Sequence, residues 1–195
     1  MVAQVEATVD HRELVGRAKQ GDHDAFADLV DPALARLDAA ARLILRDPEL
    51  ARDAVQEALI RAWRDLPGLR DPDRFEAWFR RLTVNACLDL VRHRRRRPIE
   101  VELTPLDAPS SSDPSGALAD RELVDGALRR LDPGHRAVVA MYYLLGMPLP
   151  DVAAALGIPL GTAKSRLHYA LAAMRLAATT EPDPAPEPLR GGQVA

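Results

Sequence analysis

Arg92, Arg94, Arg95, Arg96 and Arg97 crowd around His93, and further along the chain Lys164 and Arg166 stand among Thr162, Ser165, His168 and Tyr169. Arginine clusters neutralise phosphate charge without regard to sequence and in a salt-sensitive way. Short polar and basic groups near a helix N-terminus suit the major groove of a duplex. Bond-making chemistry has little foothold. The sequence contains no G-x-x-x-x-G-K-[ST] phosphate loop, no H-E-x-x-H and no G-x-S-x-G, and His11, His23, His93, His135 and His168 are scattered singly. The lone Cys87 excludes an internal disulfide and the cysteine cluster of a structural zinc site. The residues therefore point to a binding protein and not an enzyme, with no cofactor and no metal expected.

The second polar set needs a scaffold, and the stretch from Asp151 to Tyr169 supplies one. Two helices that cross closely require a small residue at the crossing, met by Ala153, a glycine in the turn, met by Gly157, and an apolar plug, met by Ile158. On the second helix Ala163, Leu167, Ala170, Leu171 and Met174 form one inward stripe. That stripe leaves Thr162, Ser165, His168 and Tyr169 facing outward with Lys164 and Arg166 on the flanks. An ordinary helical hairpin with a solvated face would carry the same stripe. The coincidence of turn glycine, plug and basic flanks favours DNA binding.

Upstream, apolar residues recur at helical spacing from Leu14 to about Arg97, with breaks expected at Gly21-Asp22, Asp31-Pro32, Asp47-Pro48 and Pro67-Gly68. Between Arg52 and Leu66, the residues Val55, Ala58, Leu59, Ala62, Trp63 and Leu66 form a buried stripe, leaving Asp53, Gln56, Glu57, Arg61 and Arg64 outside it. A further helix begins near Arg74 and ends in the arginine block, a basic end that suits the helix dipole. Its aromatics Phe75, Trp78 and Phe79 could stack on unpaired bases, but their i, i+3, i+4 spacing assigns Trp78 and Phe79 to the core.

Pro98, Pro105, Pro109, Pro114 and the run Ser110-Ser111-Ser112 cannot sustain a helix. Beyond them Leu123, Ala127, Leu128 and Leu131 make an apolar stripe. Asp132-Pro133-Gly134 ends that helix and caps the next, which Val138, Met141, Tyr142 and Leu145 carry inward to Gly146. The chain reads as all-α, with two small helical domains joined by a flexible linker. One domain is expected over residues 11–97, an acidic linker over 98–116, a helix-turn-helix domain over 117–178 and a disordered Pro-rich tail over 179–195.

The 195 residues are 47% hydrophobic and carry a formal net charge of -3, which alone argues against a nucleic-acid binder. The charge is segregated, however: the arginine block is followed by Glu100, Glu102, Asp107, Asp113 and Asp120, with no Lys or Arg from Ile99 to Asp120. Met1 to Asp10 lack a basic n-region, and no apolar run approaches the roughly 20 residues of a membrane span. A cytoplasmic protein without membrane insertion is expected.

Three segments, in order, resemble the extracytoplasmic-function sigma factors of the sigma-70 family. Asp53-Ala54-Val55-Gln56-Glu57-Ala58-Leu59-Ile60-Arg61-Ala62-Trp63 is similar to that family's region 2.2, and Phe75-Glu76-Ala77-Trp78-Phe79 through Asn85, Asp89 and Arg92 to its region 2.4. Gly157 through His168 resembles the recognition motif of region 4. The resemblance implies a region 2 helical bundle and a region 4 helix-turn-helix. It implies an alternative sigma factor that binds RNA polymerase core and directs promoter recognition and transcription initiation.

The resemblance also distributes roles. Asp53, Gln56, Glu57 and Arg61 would dock on the β′ clamp, and region 4 on the β flap. Leu69, Arg70, Asp71, Arg81, Asn85, Asp89 and Arg92 would read the −10 element, the first three lining a pocket for an extruded base. Thr162, Lys164, Ser165, Arg166, His168 and Tyr169 would read the −35 element. Promoter DNA and polymerase core are the implied partners, and an anti-sigma protein is the family's usual inhibitor.

One departure is visible. Tyr169, Ala170, Leu171, Ala172 and Ala173 stand where family recognition helices usually continue with basic residues, which implies weaker −35 binding in isolation. The alternative function is a stand-alone helix-turn-helix regulator that needs no polymerase core. For the acidic linker, which the family threads toward the polymerase cleft, neutralising Glu100, Glu102, Asp107 and Asp113 together should change the yield of abortive transcripts. An unchanged yield with unchanged core binding would remove that role.

Overall fold

The computed structural model describes residues 11–96 and 125–179, and among these every element is helical. The expected linker, the start of the second domain with Leu123, and the Pro-rich tail lie outside the described residues.

Each helix of the first unit begins where the sequence supplies a cap. α1 (His11–Lys19) ends at a turn, after which the Asp22 carboxylate accepts from the Ala25 N–H at 3.0 Å and starts α2 (His23–Leu45). Asp47 accepts from the Glu49 and Leu50 N–H groups at 3.0 and 3.1 Å, with Pro48 at the first helical position, and starts α3 (Pro48–Asp65). Two 3₁₀ turns, Leu66–Gly68 and Pro72–Arg74, lead into α4 (Phe75–Arg96).

The break expected at Asp31-Pro32 does not occur, and α2 runs through Pro32. Proline deprives the Asp28 carbonyl of its helical donor. Asp28, Asp31 and Pro32 are all exposed, so water can take that carbonyl. Leu29, Val30 and Leu37 remain buried on the opposite face.

α2, α3 and α4 pack through small residues. Ala40, Ala41, Ala51, Ala54, Ala58 and Ala62 are fully buried, which brings the helix backbones close. Phe75 and Phe79 stack with centroids 5.8 Å apart in the same core, while Trp78 lies half-buried against it. The core assignment of these aromatics from their spacing is what the packing shows.

The second unit opens with a helical segment at 125–129. α5 (Pro133–Val139) is capped by Asp132, whose carboxylate accepts from the Gly134 N–H at 2.7 Å and the His135 N–H at 3.1 Å. α5 widens into a π turn, Ala140–Leu144, followed by α6 (Leu149–Leu156) and α7 (Leu160–Thr179). The π turn corrects one expectation. Val138, Met141 and Leu145 are buried as the stripe required, but Tyr142 is 39% exposed. In the wider turn the Leu145 N–H reaches the Ala140 carbonyl at 3.0 Å, which shifts the helical register and turns Tyr142 out.

The two units share an interior. Val138, Met141, Leu145, Met147 and Val152 belong to one apolar cluster with the core of α1–α4, and Leu43 of α2 packs against Leu128, Leu131, Val139 and Ala170. Arg136 of α5, 8% exposed, anchors this seam. Its Nε donates to the Ile44 carbonyl at 2.8 Å and its Nη1 to the Leu131 carbonyl. Both carbonyls sit at or near helix C-termini, where backbone acceptors lack intrahelical partners and the dipole favours a cation.

Beside this anchor Arg46 ends α2 in the left-handed conformation, φ 59°, at a cost of about 1–2 kcal/mol for a residue with a Cβ. That geometry carries its guanidinium to Asp125, where Nη2 donates to Oδ2 at 2.9 Å. Arg46, and secondarily Arg129, hold the Asp125 carboxyl at about 2. The pair's contribution is therefore complete above the ordinary aspartate value and is lost only as the pH falls through about 2.

Cys87 is fully buried on α4 and its thiol is pushed up to about 12 by desolvation. In the native chain at pH 8 it should resist a thiol reagent and react fully after denaturation in guanidinium. Rapid native labelling would show that α4 is not packed as described.

Candidate nucleic-acid interface

The candidate residues on α3 lie outside its buried stripe. Asp53, Gln56 and Glu57 are exposed and Arg61 is half-buried. Arg61 is committed on two sides: its Nε donates to Glu57 at 2.7 Å and its Nη1 to Asp89 of α4 at 3.1 Å. Asp89 in turn accepts from Arg92 at 2.6 Å. The resulting chain Glu57–Arg61–Asp89–Arg92 ties the outer faces of α3 and α4 together. Glu57 and, next, Asp89 hold the Arg61 guanidinium above its ordinary pKa, so it stays charged throughout the accessible range.

Between the helices Glu57, Arg61 and Asp89 line an open groove of about 360 Å³ with Asp53, Ala86, Leu90 and His93. Two residue sets assigned separately from the sequence, one on each helix, are thus brought together. Asn85 is half-buried and Arg81 and Arg92 are exposed, along one row of α4 with Asp89. At 1.5 Å per residue that row runs roughly 16 Å.

The loop set behaves differently. Arg70 is exposed, whereas Leu69 packs against the core. The Leu69 carbonyl accepts from Lys19 Nζ. Asp71 caps the second 3₁₀ turn by accepting from the Asp73 N–H at 3.1 Å, and Arg74 lies 3.4 Å from it. An ion pair between Arg12 and Asp73 pins the same loop to α1. This loop is held in place at both ends, with Arg70 turned to solvent.

In the second unit the helix-turn-helix forms as its residue types require. Val152 and Ala153 are buried, and Gly157 adopts φ 64° as its amide closes on the Ala154 carbonyl at 3.3 Å. This left-handed turn favours glycine because it lacks a Cβ. On α7 Ala163 and Ala170 are buried while Leu167, Leu171 and Met174 are half-buried.

Lys164, Ser165, His168 and Tyr169 are exposed as expected, and Thr162 and Arg166 are half-buried. The Ser165 hydroxyl donates to the Thr162 carbonyl at 3.0 Å. Tyr169, 60% exposed, rests its ring against His135 with centroids 5.0 Å apart. Arg166 folds back toward the start of α5, so that a Cβ added at Gly134 would lie 3.1 Å from its Nη1.

Arg46, Asp125 and Arg136 carry no pattern that singles them out, and neither does the close approach of α6 to α4. Arg81, Leu82, Asn85, Asp89 and Arg92 form one wall of a second groove, of about 400 Å³, whose other wall is Ala154, Ala155, Leu156 and Gly157. No periodicity signals such a meeting, because the two walls are remote in sequence. Among the described residues no helix is long and apolar enough to cross a membrane.

Comparison with known proteins gives this geometry a family. The model for Sigma-70 region 2 matches residues 29–97, and that for Sigma-70, region 4 matches residues 121–174. The chain is 38% identical to the ECF RNA polymerase sigma factor SigL of Mycobacterium tuberculosis, over 67% of this chain and 75% of SigL. It is 35% identical to the ECF RNA polymerase sigma factor SigM of the same organism, over 82% of this chain and 80% of SigM.

Among solved structures, CnrH in complex with the cytosolic domain of CnrY superposes with a TM-score of 0.62 at 30% identity, covering 87% of this chain and 99% of that one. The sigma factor RpoE of Bartonella quintana, in complex with the anti-sigma factor NepR, shares the fold with a TM-score of 0.59 at 23% identity, covering 80% of this chain and 99% of that one. Two helical units with outward polar rows, matched in order by both regions and by relatives over most of their length, place this chain in the sigma-70 family, among its extracytoplasmic-function sigma factors.

Proposed function

We propose that the chain works as an alternative sigma factor in the cytoplasm, a non-enzymatic subunit that binds RNA polymerase core and selects promoters for it. Asp53, Gln56, Glu57 and Arg61 on α3 contact the clamp of β′. Arg81, Asn85, Asp89 and Arg92 on α4, with Leu69, Arg70 and Asp71 in the preceding loop, engage the −10 element. Thr162, Lys164, Ser165, Arg166, His168 and Tyr169 on α7 engage the −35 element, and the second unit contacts the β flap. An anti-sigma protein, as bound by the structural neighbour RpoE, is a further partner.

The observation that supports this reading most is the ion-pair chain Glu57–Arg61–Asp89–Arg92. It makes the core-binding face and the base-reading face neighbours on one rigid pair of helices. Docking α3 on the polymerase therefore fixes where α4 meets DNA. Family matches to both regions, in order, favour this over a stand-alone helix-turn-helix regulator, which has no use for region 2.

Purified core polymerase should yield run-off transcripts from a promoter library only when this chain is added. Gln56→Ala with Glu57→Ala should weaken core binding about tenfold, the scale of a few lost interface contacts. Lys164→Ala with Arg166→Ala should weaken upstream DNA binding roughly uniformly across sequences and lower the salt slope by about 2 or less. Transcription indifferent to the chain, together with a unique operator footprint by the chain alone, would transfer the reading to the stand-alone regulator.

A further inference from the structure

We infer that His135 of α5 is a positioning residue for DNA reading: locked by Asp132, it orients the Tyr169 ring and so sets base preference at the far end of the α7 row. The inference rests on α7 being the −35 reading helix, as proposed above.

Three observations carry it. The first is the pairing itself. Tyr169 is 60% exposed, yet its ring is set against the His135 imidazole with centroids 5.0 Å apart and planes at 51°. A ring needed only for packing would bury its remaining surface. This one leaves that surface open on the helix that also exposes Lys164, Ser165 and His168.

The second is that the imidazole is not free to turn. Its Nδ1 donates to the Asp132 carboxylate, which also accepts from the Gly134 and His135 N–H groups and so caps α5. The His135 side chain is 20% exposed, and the next residue, Arg136, is buried and bonded to the Ile44 and Leu131 carbonyls. The wall behind Tyr169 is therefore built into α5 and is set before DNA arrives.

The third is Arg166, about one turn before Tyr169. A Cβ added at Gly134 would lie 3.0 Å from the Asp132 carboxylate and 3.1 Å from Arg166 Nη1, so the missing side chain leaves room for the guanidinium. Two residues assigned to −35 reading are thus seated on the three residues that open α5.

Tyr169 stands seven residues after Thr162, roughly 10 Å along the helix or about three base-pair steps. Recognition helices meet base edges through their N-terminal residues, so a side chain this far along must be aimed to reach the duplex. Tyrosine suits the task, with two torsions to fix, a ring for the thymine methyl and a hydroxyl for hydrogen bonding. Fixing one side chain in advance is worth roughly three- to tenfold in affinity. The gain is realised only on sequences that the fixed ring fits, so it appears as base preference.

The test uses polymerase core with the full chain and a promoter library randomised through the upstream element, with bound DNA sequenced to give the preference at each position. Tyr169→Ala should flatten the preference at one or two adjacent positions by roughly three- to tenfold, and His135→Ala should flatten the same positions. The double variant should do no more than either alone, because the two residues act as a unit. His135→Phe gives up the bond to Asp132 but keeps a ring against Tyr169, and should recover part of the preference.

An equal loss on all sequences for His135→Ala, with the pattern of preference unchanged, would overturn the inference, since lost packing between α5 and α7 does the same. So would a Tyr169→Ala variant with unaltered preference when Lys164→Ala with Arg166→Ala still weakens upstream binding; the reading helix would stand and its tyrosine would take no part. If none of these variants alters upstream binding, the assignment of α7 itself fails, and the inference with it.

Discussion

A guanidinium held between two runs of backbone carbonyls decides the arrangement of this molecule. Among the described residues Arg136 bonds to no carboxylate; it lies against the Ile44 and Leu131 carbonyls near helix C-termini. Burial lowers its pKa, and Arg46 nearby acts in the same direction. Aligned peptide dipoles offset that penalty. Removing the side chain would leave two buried acceptors unpaired, at about 1–3 kcal/mol each. The apolar seam around it, where Val138 and Met141 meet the core of α2 and α4, supplies the area that this polar contact orients.

A second polar system works on the outer faces of α3 and α4. Arg61 is shared between Glu57 and Asp89, and Asp89 between Arg61 and Arg92. Each pair is partly exposed and individually weak. Their importance is geometric, because they set the spacing of two functional rows on helices already fixed by Ala54, Ala58, Phe79 and Cys87 inside. The interior thus supplies the stability, and the surface chain sets where charge is displayed.

Much of this was legible in the residues. Caps at Asp22, Asp47 and Asp132, the turn at Gly157 and the stripes of α3 and α7 follow local rules, since each depends on groups within a few positions of one another. Pro32 escaped those rules because its cost depends on whether water reaches the orphaned Asp28 carbonyl, which only the folded surface decides. Tyr142 escaped because one widened turn shifts a period that the pattern assumes constant. Ser165, His168 and Tyr169 were read correctly as outward, whereas Thr162 is half-buried; what these side chains face was not readable. The meeting of α4 with α6, and the roles of Arg46, Asp125 and Arg136, arise between segments separated by the whole linker. A hydrophobic stripe records that a face is buried and says nothing about which partner buries it.

The account depends on α3 and α4 presenting one rigid polar face to RNA polymerase core. Sedimentation of the full chain with purified core reports that association directly. The chain should move with the core, and Arg61→Ala, which breaks the chain of ion pairs between the two helices, should move with it less. A chain whose sedimentation is unchanged by the core would contradict the account.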